Sequence, residues 1–264
     1  MLFGSTFVVV QDAVREVDVL PFLVVRFGFA ALALAPAVVR RRRSLHLWRH
    51  GAAAGVALGA GYVFQTLGLQ HTTTSVSAFL TYLLVVIVPL LSAVVLRRPP
   101  RAATLAGVAI AVVGLAFLSG GGVSFGRGEA LTIVCAVAFA VHIVVLADVA
   151  PHHDVLALCG VQFALVVVVL APVAASTGSF AFPASAWWAA VYTGLAVSVA
   201  GFGLQVWGQR RVSASRAALV LMLEPVVAAV LGRWRGEHLG ALGWFGAVLI
   251  LAGILVSELA PRVD

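Results

Sequence analysis

Two charged side chains lie inside long apolar runs, where a charge can do chemistry. Glu224 falls near the middle of one run, directly before Pro225, and Arg26 falls close to the start of another. The carboxylate could exchange protons or hold a cationic group of a substrate, and the guanidinium could contact an anionic group. Each charge is costly in hydrocarbon unless it is paired or faces water. The simpler alternatives are a structural carboxyl bonded across a helix interface and a structural or snorkelling arginine.

Neutral polar and aromatic residues in other apolar runs extend this set. Gln65 and Gln205 could face a shared cavity, or they could join neighbouring helices by hydrogen bonds. His142 could contact a substrate or handle protons, or it could be a neutral histidine bonded to another helix. Tyr82 and Trp207 could supply aromatic walls, or they could belong to packing and to the membrane-interface belt. The candidate substrate-binding or cavity-lining residues are Arg26, Gln65, Tyr82, His142, Gln205, Trp207 and Glu224.

The same sequence offers little for catalysis or for metal binding. Cys135 and Cys159 lie in apolar runs, without a second cysteine or a histidine at ligand spacing. His142 has no histidine, cysteine or carboxylate three or four residues further on. The glycines at 120–122 lack the lysine and hydroxyl residue of a phosphate-binding loop. We therefore expect no catalytic residue, metal or cofactor.

Composition sets the environment in which these residues must work. Of the 264 residues, 62% are hydrophobic and 10% are charged, and the mean hydropathy is +1.10. Soluble proteins carry about 25% charged residues, so a soluble enzyme, a secreted disulfide scaffold and a disordered protein are excluded. The formal net charge is +7, and all 17 basic side chains are arginine. Because most of them stand in short clusters between apolar runs, they indicate membrane topology rather than nucleic-acid binding.

The apolar runs predict an all-α membrane protein with ten transmembrane helices. A helix crosses the hydrocarbon with about 20 residues, whereas the strands of a membrane barrel would alternate apolar and polar positions. No such alternation is present. The runs cover residues 1–14, 21–39, 51–69, 74–96, 102–119, 128–147, 155–175, 187–207, 214–232 and 242–259.

The distribution of arginine predicts the orientation of these helices. If the N-terminus is cytoplasmic, twelve arginines fall in cytoplasmic segments and four fall outside, while Arg26 lies within the membrane. Short cytoplasmic loops carry an excess of basic residues. We therefore expect a bacterial inner-membrane protein with both termini in the cytoplasm.

The chain also repeats itself. A shift of 136 aligns Asp12 with Asp148, a shift of 140 aligns Gln65 with Gln205, and a shift of 139 aligns two pairs of glycines. Polar residues are scarce in this chain, so such matches indicate duplication. The repeats are residues 1–119 and 128–259, with five helices each. Because five is odd, the second repeat must be inverted relative to the first, which is a recurring architecture of secondary transporters.

The alignment of the repeats leaves the first helix short. Residue 1 aligns with Val137, about nine residues inside the sixth apolar run. We expect either a true start upstream of Met1 or a first helix that lacks about two and a half turns at its N-terminal end.

Several short motifs, by their order over the two repeats, carry a resemblance to the EamA-type families of the drug/metabolite transporter superfamily. The resemblance covers nearly the whole chain as two tandem copies. The motifs are Phe3-Gly4-Ser5-Thr6-Phe7, Arg26-Phe27, the stretch from Ala78 through Pro89 to Arg97-Arg98, Leu223-Glu224-Pro225, Gly236-Glu237, and Gly246 through Gly253 to Ser257-Glu258.

The resemblance implies ten helices in an inverted five-plus-five arrangement and the transport of small metabolites, often the export of amino acids or related compounds. Two positions depart from the family's pattern. Arg97-Arg98 replace the Gly-Glu that usually follows the fourth helix, so that acid is present only as Glu237. The middle of the first helix carries no acid, which puts in doubt the proton exchange used by the related small multidrug resistance proteins.

Together these observations predict a secondary transporter that exports a small organic metabolite by alternating access. Its expected partners are that small-molecule substrate and the lipid bilayer. Proton or ion coupling and a homodimer remain open at this stage. One alternative is a channel-like facilitator, which requires repeated polar or carbonyl rings along a pore. The least favoured alternative is an intramembrane enzyme.

Overall fold

In the computed structural model, which describes residues 6–72, 74–97, 99–118, 126–227 and 240–259, every regular element is helical. The expected all-α class is confirmed for these residues. A short 3-10 turn covers Ala150–His152, and a π-helical segment covers Thr193–Gly201. The α-helices are α1 (Thr6–Ala13), α2 (Val19–Arg40), α3 (Leu45–Leu69), α4 (Thr74–Tyr82), α5 (Leu84–Val95), α6 (Ala102–Leu118), α7 (Arg127–Val149), α8 (Val155–Thr177), α9 (Ala184–Tyr192), α10 (Phe202–Gln209), α11 (Ala214–Leu221) and α12 (Ala241–Leu259).

Within the described residues, six helical segments are long and apolar enough to cross a membrane. They are Val19–Arg40, Leu45–Leu69, Val76–Val95, Arg127–His152, Val155–Thr177 and Ala184–Gln209. The fifth and tenth expected runs form the shorter apolar helices α6 and α12. The first and ninth expected runs are represented by α1 and α11, and part of each run lies outside the described residues. The glycine turn at 120–122 and Glu237 also lie outside them. The chain is therefore a helical membrane protein.

Polar side chains mark where several helices begin. The carboxylate of Asp154 accepts a hydrogen bond from the backbone N–H of Ala157 at 2.9 Å, and Ser213 caps α11 in the same way. At the start of α7, the carboxylate of Glu129 accepts from the backbone N–H of Gly126 at 2.9 Å. Each cap satisfies an N–H group that the first helical turn leaves without a partner. The capped ends fix the loops around the helical core.

Helices α6 and α12 cross in antiparallel directions with their backbones almost in contact. A Cβ placed on Gly253 would lie 2.5 Å from the carbonyl oxygen of Gly107, and one on Gly114 would lie 2.6 Å from that of Gly246. Only glycine permits such an approach, which is the usual means of close helix packing in membranes. The N-terminal part of α6 thus contacts the C-terminal part of α12, and the C-terminal part of α6 contacts the N-terminal part of α12.

A second antiparallel pair is formed by α2 and α8. Gly160, near the start of α8, packs against Leu34 near the end of α2, while Gly178, after the end of α8, packs against Asp18 before the start of α2. Helix α3 packs against both α7 and α8. These contacts bring residues of both sequence halves into one helical core.

Four loops meet at one end of the bundle. Arg101, Arg210 and Pro151 line a single cavity, and a ring nitrogen of His50 lies 2.8 Å from one of His153. The connections α2–α3, α5–α6, α7–α8 and α10–α11 therefore lie together. Because the arginines at 40–43, 97, 101, 210 and 211 belong to them, we call this end the arginine-rich face.

The remaining described connections meet at the opposite end. The carboxylate of Asp18 accepts a hydrogen bond from the backbone N–H of Ser179 at 2.9 Å, and Glu16 accepts one from the hydroxyl of Ser185 at 2.9 Å. The hydroxyl of Thr72 donates to Glu129 at 2.5 Å. Acidic side chains therefore stabilise loop contacts at this end, whereas arginines predominate in the loops of the arginine-rich face.

Candidate functional site

Two interrupted helices build the centre of the site. The α-helical pattern stops at Leu83, between α4 and α5, and again at Met222, after α11. Pro225 explains the second interruption, because it has no N–H to donate to the carbonyl of Leu221, one turn earlier. Tyr82 directly precedes the first break and Glu224 closely follows the second.

The two breaks place Tyr82 and Glu224 in contact. The hydroxyl of Tyr82 donates a short hydrogen bond to the carboxylate of Glu224. Both side chains are buried, with exposed fractions of 4% and 9%. The bond therefore links distant parts of the chain through an acid held away from bulk water, where a hydrogen bond to a carboxylate is at its most valuable.

This pair lines a central cavity of about 70 Å³. Its wall combines aromatic rings, aliphatic side chains and hydrogen-bonding groups from both halves of the sequence. Five of the seven candidates predicted from the sequence line it: Gln65, Tyr82, His142, Gln205 and Glu224. The other lining residues are Thr6, Tyr62, Thr81, Leu84, Phe139, Ile143, Phe202 and Leu221.

His142 is held in one orientation by its neighbour Gln162. The amide NH₂ of Gln162 donates to the carbonyl of Leu158 at 3.1 Å, so its amide oxygen is the atom that lies 2.7 Å from Nε2 of His142. Nε2 must therefore carry the proton that is donated to Gln162. Nδ1 of the neutral ring is left as an acceptor. His142 thus presents an acceptor nitrogen on a ring that forms part of the cavity wall.

The two glutamines of the repeat occupy different hydrogen-bonding networks. The amide of Gln65 lies 3.5 Å from the hydroxyl of Thr81, which itself lies 3.9 Å from the sulfur of Cys135. The amide of Gln205 donates at 3.2 Å to Gln209, whose own amide donates at 2.8 Å to a backbone carbonyl of α7. Both glutamines therefore line the cavity and also bond to neighbouring side chains.

Arg26 lies behind the cavity wall rather than on it. It is completely buried, and its NH2 group donates to the hydroxyl of Tyr62 at 3.1 Å, while Nε donates to Ser198 at 3.3 Å. Its guanidinium carbon lies 4.4 Å from the ring centre of Tyr62, close enough for a cation–π interaction. The remaining NH1 group has no hydrogen-bond partner in the described structure. Tyr62 therefore stands between the buried cation and the cavity.

The π-helical segment gives Arg26 its second partner. The hydroxyl of Ser198 donates at 3.0 Å to the carbonyl of Thr193, five residues earlier, as the wider π turn requires. Gly194 lets this segment approach the backbone of Arg26 closely. Such π segments are frequent at functional sites, and this one holds a buried arginine.

Trp207 faces away from the cavity. Its exposed fraction is 52%, and its ring lies 4.5 Å from the guanidinium carbon of Arg211. Among the residues that sequence reasoning did not single out, Tyr62, Gln162 and Gln209 have the most direct contacts with the candidates. The spacing of the sequence could have indicated Gln209, because it is a polar residue four positions after Gln205. Nothing local marks Tyr62 as the partner of Arg26.

The described residues contain no group of three or more histidine, cysteine or acidic side chains placed to hold a metal ion. Cys135 and Cys159 are buried free thiols. The lining of the cavity can bind a ligand through hydrogen bonds, a carboxyl group and aromatic surfaces.

Comparisons with known proteins point to one family. A family model described as the EamA-like transporter family matches residues 1–120 and again residues 126–259. An uncharacterized transporter of Archaeoglobus fulgidus is 31% identical over 267 residues, covering 98% of this chain and 83% of the relative. The uncharacterized transporter YwfM of Bacillus subtilis is 37% identical over 73 residues, covering 27% of this chain and 25% of the relative.

One solved crystal structure shares the fold. It superposes with a TM-score of 0.78, covers 99% of this chain and 96% of its own, and is 20% identical in sequence. The overall helical arrangement is thus one that is known from experiment.

Proposed function

From the premise that the chain belongs to the EamA-like transporter family, we propose that it is a secondary transporter that exports a small organic metabolite, such as an amino acid or a related compound. The observation that carries this proposal is the central cavity, where two interrupted helices from the two sequence halves bring Tyr82 and Glu224 together. Interrupted helices around a midplane site are the usual construction of such carriers.

The proposed architecture is ten transmembrane helices in two inverted repeats, residues 1–119 and 128–259. The crossing of α6 and α12 supports it. The sequence repeat pairs Gly107 with Gly246 and Gly114 with Gly253, while the contacts join Gly107 to Gly253 and Gly114 to Gly246. A two-fold rotation that exchanges the repeats turns each contact into the other. In carriers with such symmetry, the substrate site lies between the halves.

The size of the cavity supports transport by alternating access. Pockets that bury small organic ligands hold about 300–1,000 Å³, far more than the roughly 70 Å³ present here. The helices must therefore separate to admit a metabolite. The breaks at Leu83 and Met222 are the points at which α4 and α11 can pivot, because the hydrogen-bond ladder is already interrupted there.

Within this proposal Glu224 is the coupling residue. An acid at this depth costs least when it is neutral or when it binds a cation, so it can alternate between a proton and an amino group of the substrate. The aromatic rings of Tyr62 and Phe202 would complete the binding surface. We further propose that the arginine-rich face is cytoplasmic and that the membrane is the bacterial inner membrane.

Transport by reconstituted protein tests the function. Purified protein in sealed vesicles is assayed against a panel of amino acids and amines, with and without a pH gradient across the membrane. We expect saturable transport of at least one compound, driven by the gradient in the direction of export. Non-saturable fluxes accompanied by ionic current would favour the channel-like alternative, and the absence of flux for every compound would count against the proposal.

A further inference from the structure

A second cavity, which we call the vestibule, opens at the arginine-rich face and has a volume of about 400 Å³. Four arginines line it, and no acidic side chain is among those of its lining residues that the structure describes.

The four arginines come from separate elements that the fold brings together. Arg101 precedes α6, Arg210 and Arg211 lie between α10 and α11, and Arg216 is in the first turn of α11. The preference for basic residues in cytoplasmic loops explains a run such as 40–43, which comes from a single segment. The same preference brings basic loops to one face of the membrane, but it does not require arginines from separate loops to line one concave surface, where like charges repel.

Polar groups that favour an anion accompany the arginines. The first turn of α11 borders the vestibule, and its N–H groups carry partial positive charge. The hydroxyls of Thr104, Ser213 and Ser215 belong to the same wall. The guanidinium of Arg211 is held in place by the ring and the backbone carbonyl of Trp207, at 3.4 Å from the latter.

We propose that the vestibule binds a phosphate group. Arginine binds phosphate through paired, planar hydrogen bonds, and several arginines compensate more than one negative charge. A volume of about 400 Å³ accommodates the polar part of a phosphate-bearing molecule. That molecule is either a phospholipid whose headgroup reaches the face of the membrane or a free organic phosphate, and the two sources share the same recognition chemistry.

The vestibule also lies next to the central cavity. Gln209 lines the vestibule, Gln205 lines the central cavity, and the two amides are hydrogen-bonded at 3.2 Å. One hydrogen bond therefore joins a residue of the vestibule wall to a residue of the central cavity wall. Phosphate bound in the vestibule would change transport without being the transported group.

Binding of inorganic phosphate by the full chain in neutral detergent tests the proposal. The shift of the thermal midpoint is measured against phosphate concentration, with chloride at equal ionic strength as the reference. We expect the pair Arg101→Gln and Arg210→Gln to weaken the apparent affinity about tenfold or more, because charge-assisted hydrogen bonds are lost. The matched control, Arg41→Gln with Arg42→Gln, removes the same charge from the same face and should leave the affinity unchanged.

A lipid arm distinguishes the two sources. The protein is placed in nanodiscs of phosphatidylcholine, with or without phosphatidylglycerol, and retained lipids are counted by native mass spectrometry. Retention of phosphatidylglycerol that depends on Arg101 and Arg210, without a response to free phosphate, assigns the site to a lipid headgroup. If the vestibule substitutions and the control substitutions change phosphate binding and lipid retention equally, only general surface charge is involved and the proposal fails. Neither result depends on identifying the transported substrate.

Discussion

At the scale of single residues, the bond between Tyr82 and Glu224 offers two separable tests. Glu224→Gln keeps the shape and can still accept from Tyr82, but it cannot ionise. If Glu224 couples transport to protons or to a cationic group, this variant should lose transport by about tenfold or more, with normal membrane abundance. Glu129→Gln, which changes a carboxyl at the edge of the bundle, is the control and should transport normally. Parental transport by Glu224→Gln at every pH would make the residue structural.

Tyr82→Phe removes the hydroxyl and leaves the acid without this donor. The expected result is a loss of about 1–3 kcal/mol of unfolding free energy, because a buried polar group loses its partner. The thermal midpoint in detergent measures it. A variant as stable as the parent would mean that another group satisfies the carboxyl.

At the scale of elements, the contact between α6 and α12 depends on the absence of side chains. Gly253→Ala would place a methyl group 2.5 Å from a backbone oxygen, which cannot move without displacing the helix. We expect a destabilisation of about 1–3 kcal/mol, measured as a lower thermal midpoint. Gly203→Ala is the matched control, since a Cβ there meets nothing within 4 Å. Equal stability of the two variants would contradict the close approach.

The helix connections at the arginine-rich face contain a cluster whose stability should depend on pH. Burial lowers the pKa of His153, and the positive charges that His50, His152 and His46 can carry lower it further. A histidine with a lowered pKa in the folded state stabilises the fold above its ordinary pKa of about 6.5, and that contribution is lost as the pH falls.

The thermal midpoint should therefore decrease as the pH is lowered from about 7.5 to about 5.5, and His153→Gln should make this decrease smaller. His71→Gln, at the opposite face, serves as the control. If the His153 variant has the same pH profile as the parent, the histidine cluster is not the cause of the pH dependence.

At the scale of the whole molecule, the two halves should expose equivalent positions to the same pathway. In a background with Cys135 and Cys159 replaced by alanine, Gln65→Cys and Gln205→Cys should react with a membrane-impermeant thiol reagent, and transported substrate should slow both reactions. Trp207→Cys lies outside the cavity and should not be protected. Inaccessibility of both glutamine positions in every state would make them structural contacts between helices.

The polar residues that stand out in the sequence share a physical basis. Glu224, Gln65 and Gln205 stand out because a polar group in an apolar run must find a partner or water, and all three line the cavity. Arg26 obeys the same rule, yet its partners Tyr62 and Ser198 come from distant helices, so the direction of its side chain depended on packing that no local pattern reveals. The break at Leu83 likewise emerges only from the assembled helices, whereas Pro225 marks the break at Met222 in the sequence itself.

The small volume of the central cavity has a consequence for any measurement of affinity. If only the expanded conformation admits the substrate, the apparent dissociation constant equals the intrinsic one divided by the fraction of molecules that are expanded. With about one molecule in a hundred expanded, binding would look about a hundredfold weaker than the contacts themselves permit. Substitutions that loosen the contracted packing around Tyr82 should then tighten apparent binding, even though they add no contact to the substrate.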